Sequence, residues 1–123
     1  MRALIVDDSR TMRLILKKQL AQLGFTEILE AGDGVEALRV LAQDAVPQVA
    51  LIDWNMPNMS GIDLVTAVRE NTAWDAMKVV MVTTEADLGR VQRALVQGAN
   101  EYVVKPFTPQ MLGAKLMTIG VAA

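Results

Sequence analysis

Five short runs, mostly apolar and the second of them weaker, each followed by a stretch with helical periodicity, constrain this chain more than any other feature. They are Ala3 to Val6, residues 27 to 31 (EILEA), Val49 to Ile52, residues 78 to 83 (KVVMVT) and Tyr102 to Val104. A strand with one wet face alternates polar and apolar residues, so near-continuous apolar strands are buried on both sides. Strands of this kind alternating with helices imply a parallel sheet covered by helices on both faces. The right-handed crossover rule leaves few topologies, and 2-1-3-4-5 is the common five-stranded order. The expected fold is therefore α/β: a doubly wound parallel sheet of five strands in the order 2-1-3-4-5, with five helices.

Helix signals support this alternation. Met12, Ile15, Leu16, Leu20 and Leu23 fall at helical spacing, with Asp8 or Ser9 as N-cap and Gly24 as stop. Asp33 with Glu36, and Ser60 with Asp63, are capping-box spacings that start the second and third helices. Val35, Leu38 and Leu41 are expected to face inward in the second, and Leu64, Val65 and Val68 in the third. A fourth helix is predicted from about Ala86 to Gln97 with Leu88, Val91 and Leu95 inward, closed by Gly98, and Gly89 should leave its first turns mobile. Thr108 caps a fifth helix that has Pro109 at its first position and Leu112, Leu116 and Ile119 facing in.

Composition narrows the chemistry. The 123 residues make one domain, with 52% hydrophobic and 21% charged residues as in ordinary globular proteins. A net charge of −2 argues against a nucleic-acid binder, and the basic group Arg2, Arg10, Arg13, Lys17 and Lys18 reads as a solvated helix face. Cysteine and histidine are both absent, which removes disulfides, thiolate or imidazole metal sites, a Ser-His-Asp triad and any phosphohistidine within the chain. No run is long enough to span a bilayer and the N-terminus does not read as a signal peptide, so a cytoplasmic protein is expected.

The strand ends carry the chemistry. Asp7 and Asp8 follow the first strand, Asp53 the third, Thr83 ends the fourth and Lys105 follows the fifth. In a doubly wound sheet, ligands bind beyond the carboxyl ends of the strands where the winding direction reverses, so these side chains should share one crevice. An aspartate alone is usually an N-cap and a lysine alone is usually solvated. Four strands ending by chance in complementary groups on one edge is the less economical reading. Three carboxylates crowded together call for a cation, and oxygen-only ligands select a hard divalent ion, Mg2+. Given that ion, Asp53 is a candidate nucleophile towards phosphorus, with the Lys105 ammonium and the Thr83 hydroxyl available to the phosphoryl oxygens. Asn55 and Glu85 are placed to set how long an aspartyl phosphate lasts.

These residues, in the segments DD at 7–8, DWNMPNMSG around Asp53, VTTEA from Val82 and EYVVKPF from Glu101, make the whole chain resemble the receiver domain of two-component response regulators, a flavodoxin-like fold. Together with DDSRTM and DGVEAL, they are most similar to the stand-alone chemotaxis receivers of that family. The resemblance implies that Asp53 accepts a phosphoryl group from a histidine kinase of the CheA type. It implies that Asp8, Asp53 and the Asn55 backbone carbonyl ligate Mg2+, with Asp7 acting through a water, and that the Lys105-Pro106 bond is cis. Thr83 and Tyr102 would form the switch pair, and Val91, Tyr102 and Lys115 would meet the kinase and a flagellar motor switch protein. A dedicated phosphatase would be a further partner, the chain would act as a monomer, and it would not be a conventional enzyme. With no output domain expected within residues 1–123, it would signal through protein contacts; the alternative is a phosphate sink or phosphorelay intermediate. Gly89, Gly113 and Thr84 depart from the chemotaxis pattern. A phosphatase of the haloacid-dehalogenase type would place its nucleophile after the first strand, and a flavin binder would need glycines and hydroxyls where Asp7 and Asp8 stand.

Overall fold

The computed structural model describes residues 1–84 and 88–121. The elements run β1 (Arg2–Val6), α1 (Arg10–Gln22), β2 (Glu27–Ala31), α2 (Gly34–Gln43), β3 (Val49–Asp53), α3 (Gly61–Glu70), β4 (Lys78–Thr83), α4 (Leu88–Gln97), β5 (Glu101–Val104) and α5 (Pro109–Thr118). A short 3-10 turn at Thr72–Trp74, which the sequence reading did not include, follows α3. All five strands are parallel and lie in the order β2-β1-β3-β4-β5, as expected.

Alternate residues of each strand feed two separate cores, because successive side chains of a strand point to opposite faces. Ala3, Ile5, Val49, Leu51, Val80 and Val82 meet Leu16 and Leu20 of α1 and Leu112 and Leu116 of α5. Leu4, Val6, Ala50, Ile52, Val79 and Met81 meet α2, α3 and α4 through Leu41, Leu64, Val65, Val68 and Ala94. This division follows from right-handed crossovers. The step from β1 to β2 runs one way along the sheet and puts α1 on one face. The three later steps run the other way and put α2, α3 and α4 on the opposite face.

The caps form as their chemistry requires. Ser9, Asp33, Ser60 and Thr108 each accept a hydrogen bond from the backbone N–H three residues on. The Glu36 carboxylate returns to the N–H of Gly32 rather than that of Asp33, so the capping box is offset by one residue. Gly24 and Gly98 end their helices with φ of 96° and 121°, in the left-handed region that side chains disfavour.

The inward face of α4 corrects the expectation. Leu88 is 71% exposed and Leu95 is 45% exposed, whereas Ala94 is buried and Val91 is half-buried. The helix sits close to the sheet through a small residue, which turns its larger apolar residues away from the core. Ala86, within the predicted start of this helix, lies outside the described residues. Val35 of α2 and Ile15 of α1, also expected inside, are exposed as well.

The far end of the sheet is closed by Arg69. Its guanidinium donates to the carbonyls of Gly98, Trp74 and Met77 and to Asn100 Oδ1, which also accepts from the Val79 N–H. Desolvation lowers the Arg69 pKa from its ordinary value, against the opposing attraction of Asp75, but an arginine so saturated with acceptors stays charged. It ties α3 to the turn before β5, leaving the opposite edge of the sheet to function.

Candidate functional site

Each group in the crevice is delivered by the end of a strand. β1 runs out at Val6, so Asp7 is carried under the loop into α1, where its Oδ1 accepts from the Ser9 N–H at 2.8 Å and its own carbonyl accepts from Arg13 at 2.7 Å. Asp7 is buried and Asp8 is exposed. β3 ends on Asp53, whose side chain is 12% exposed. The turn after it is held tight by the Gly61 N–H donating to the Trp54 carbonyl. A Cβ at Gly61 would collide with the Asp53 carbonyl, so only glycine lets the start of α3 approach this closely. Asn58, at φ 67°, donates to Asp33 Oδ2 and fastens the same turn to the start of α2.

The sequence required a cation for Asp53, and Lys105 supplies one. Its ammonium lies 3.0 Å from Asp7 Oδ2 and 3.4 Å from Asp53 Oδ1, delivered by a chain turn that contains the cis Lys105-Pro106 bond. One half-buried lysine against two carboxylates leaves an excess of negative charge, to which Asp8 adds. The Asp53 pKa is raised from its ordinary value, first by burial and then by the fields of Asp7 and Asp8, while Lys105 opposes the rise. Carboxylate oxygens of Asp7, Asp8 and Asp53 lie within 4.8 Å of one another. Three hard oxygen donors at that spacing, with Asp7 buried, Asp53 half-buried and Asp8 exposed, fit a divalent cation of the Mg2+ or Ca2+ type rather than a soft metal.

The other expected residues fall around this centre. Thr83 is buried at the end of β4, and its carbonyl accepts from the Lys105 N–H at 2.8 Å, so β4 and the lysine are held in register. Asn55 is exposed in the loop after β3, whereas Glu85 lies outside the described residues. Tyr102 of β5, half-buried, lines a small cavity together with Thr83 and Val91, and the Lys115 ammonium stands 4.6 Å from the centre of its ring. The structure thus brings Asp7, Asp8, Asp53 and Lys105 into one cluster, and puts Thr83, Val91, Tyr102 and Lys115 on the adjoining side.

The family model for the response regulator receiver domain matches residues 3–117. The chain belongs to the response regulator receiver family.

Among similar proteins, the receiver is 47% identical over 119 residues to chemotaxis protein CheY1 of Helicobacter pylori, covering 97% of this chain and 96% of that one. It is 48% identical over 116 residues to the chemotaxis protein CheY homolog of Campylobacter jejuni, covering 94% and 89% respectively. The solved structure of Vibrio cholerae chemotaxis protein CheY4 superposes with a TM-score of 0.88 at 35% identity, over 96% of the receiver and 97% of that chain. The fold expected from the sequence is therefore also the fold of solved relatives. Among the described residues, no helix is long and apolar enough to cross a membrane.

Three features of this receiver leave no trace in its motifs. Arg90 of α4 stacks its guanidinium on the Trp54 ring at 5.2 Å, Glu101 pairs with Lys115 at 3.4 Å, and Arg69 forms the anchor described above. Each depends on side chains far apart in sequence or on helix rotation, for which periodicity carries no signal. Much of the basic group at the N-terminus is paired rather than simply solvated: Arg2 meets Glu27, and Arg13 and Lys17 share Glu30.

Proposed function

We propose that this receiver takes a phosphoryl group onto Asp53 from the phosphohistidine of a histidine kinase and passes the signal on by binding a protein target. The observation that carries the reading is the crevice itself: three carboxylates within 4.8 Å of one another with the Lys105 ammonium between Asp7 and Asp53. Structural ion pairs balance their charges, whereas this cluster has an excess of acid and one open side. In the proposed step an Asp53 carboxylate oxygen attacks phosphorus, the P–N bond breaks, and the histidine ring leaves with its electron pair and takes up a proton. Lys105 and the Thr83 hydroxyl bind the phosphoryl oxygens in transit, and Asp7 holds Lys105 in place.

A Mg2+ ion would be held by Asp8, Asp53 and the Asn55 backbone carbonyl, with Asp7 acting through a water. When bound, it supplies the positive charge that phosphoryl transfer needs at the equatorial oxygens. The protein's contribution is positioning and neutralisation, so the receiver assists its own modification without turning over a substrate, and it is not a conventional enzyme. Asn55 and Glu85, beside the attack path of water, would set the lifetime of the aspartyl phosphate, with or without a separate phosphatase.

The output would be a population shift. A phosphoryl group favours the state in which Thr83 and Lys105 reach it, and movement of Thr83 opens room for Tyr102 to turn inward. That turn would reshape the face of α4, β5 and α5, where Val91, Tyr102 and Lys115 stand and where Leu88 and Leu95 are exposed. Because the similar proteins named above are chemotaxis proteins, the target we infer is a flagellar motor switch protein, and the kinase one of the CheA type. Label transfer from a phosphorylated chemotaxis kinase tests this. The label should move to the receiver with Mg2+ present and stay on the kinase when EDTA is added. Transfer that ignores EDTA, or none at all, would contradict the proposal.

A further inference from the structure

Behind the Tyr102 ring lies a cavity of about 10 Å3, bounded by Trp54, Met81, Thr83, Ala94 and Tyr102, with Arg90 forming one wall. That is room for one water at most, far less than a phenol ring needs. The obstruction is made by two cationic side chains. Arg90 projects from α4 and stacks on Trp54 at 5.2 Å, and its Nη1 is shielded from solvent. On the tyrosine itself, the Lys115 ammonium sits 4.6 Å from the ring centre and is steered there by Glu101 at 3.4 Å. Glu101 in turn accepts a hydrogen bond from the Tyr102 backbone N–H at 3.0 Å, so acid, cation and ring form one local unit.

We propose that Tyr102 is held in its part-exposed position by a two-cation latch: Arg90, stacked on Trp54, plugs the space the ring would enter, and Lys115, fixed by Glu101, holds the ring from its other side. Arg90 and Lys115 are thus positioning residues that set the resting balance of the switch. The inference rests on the reading that Tyr102 turns inward when the receiver is activated. Its physical basis is that a cation on an aromatic face is stabilised only while the ring stays beneath it. Inward rotation must break the Lys115 contact, and it must also displace the Arg90 guanidinium from Trp54 or compress it. Phosphorylation has to overcome both, so the latch keeps the resting protein from signalling. Loss of either cation should leave the receiver partly switched without a phosphoryl group.

Tyr102 is the single tyrosine of the chain, so full-length protein labelled with 3-fluorotyrosine gives a fluorine NMR signal from this ring alone. Without any phosphodonor, Arg90→Ala and Lys115→Gln should each raise the ratio of inward to outward ring roughly two- to five-fold, the weight of one partly exposed cation–π contact. Arg90→Lys, which keeps a cation and a long stem on α4, should move the signal back towards wild type. A resting spectrum unchanged in either Arg90→Ala or Lys115→Gln, with circular dichroism showing both folded, would overturn the latch. Acetyl phosphate and Mg2+ added to the wild type test the underlying reading separately. A fluorine signal that stays put while mass spectrometry shows one phosphoryl group gained would sink the tyrosine switch, whatever the resting spectra of the variants show.

Discussion

On the Asp53 carboxyl, burial and the neighbouring acids disfavour the charge, and Lys105 favours it; burial is the largest influence and the pKa is raised. A carboxyl whose folded-state pKa lies above its unfolded value favours folding fully only below the unfolded pKa. That contribution is lost as the pH rises through the folded pKa. At neutral pH, without divalent ions, Asp53 is therefore a charge the fold holds at a cost. Asp53→Asn is expected to raise the thermal midpoint at pH 7, and the gain should shrink as the pH falls into the ordinary carboxylate range. Thermal unfolding at several pH values in EDTA checks this, and a variant less stable than wild type at pH 7 would refute it. Removing the cation should act in the opposite sense. Lys105→Met leaves the buried Asp7 and the half-buried Asp53 without their common partner, a loss of about 3 kcal/mol at pH 7, measurable by urea unfolding. These residues were legible in the sequence because each follows a strand, where position is fixed by topology. The Lys105 bridge between the two acids follows from the same argument. The Arg90 stack on Trp54 was not legible, since nothing in the spacing says which side of α4 meets β3.

Helix rotation is the information that an apolar periodicity carries least well when a helix also has an exposed apolar face. In α3 the expected inward residues Leu64, Val65 and Val68 are all buried. In α4 the largest apolar residues pointed to the wrong rotation, because a small residue, Ala94, makes the close contact and Val96 is 85% exposed. The two positions should separate cleanly. Ala94→Gln forces a polar side chain into a packed face and should cost about 2 kcal/mol or more, whereas Val96→Gln should stay within about 0.5 kcal/mol of wild type. Urea midpoints of the two variants decide it; equal destabilisation would mean that α4 is rotated from the arrangement described. Gly113 of α5, named above as a departure from the chemotaxis pattern, has a packing reason. A Cβ there would come within 3.1 Å of Leu23 Cδ2, so the glycine lets α5 lie close against the end of α1. Sequence spacing placed every strand to within a residue at each end. In β1, β3 and β4 those boundaries are set by where the buried apolar run stops; β2 and β5, at the sheet edges, are less buried.

For the molecule as a whole, two cores back to back fix five strand ends in one plane, and a rigid sheet holds the acidic cluster and Lys105 in position. The anchor at Arg69 stiffens one end of α3 and the start of β5, and the opposite edge carries the chemistry. Division of this kind lets a local charge change at Asp53 alter a neighbouring binding face without unfolding the protein. The account stands or falls on whether Asp53 accepts a phosphoryl group. The direct measurement is the intact mass of the protein after incubation with Mg2+ and acetyl phosphate, beside Asp53→Asn treated in the same way. The expected result is a labile gain of one phosphoryl group in the wild type alone. No gain under donor excess, or an equal gain in Asp53→Asn, would contradict the account.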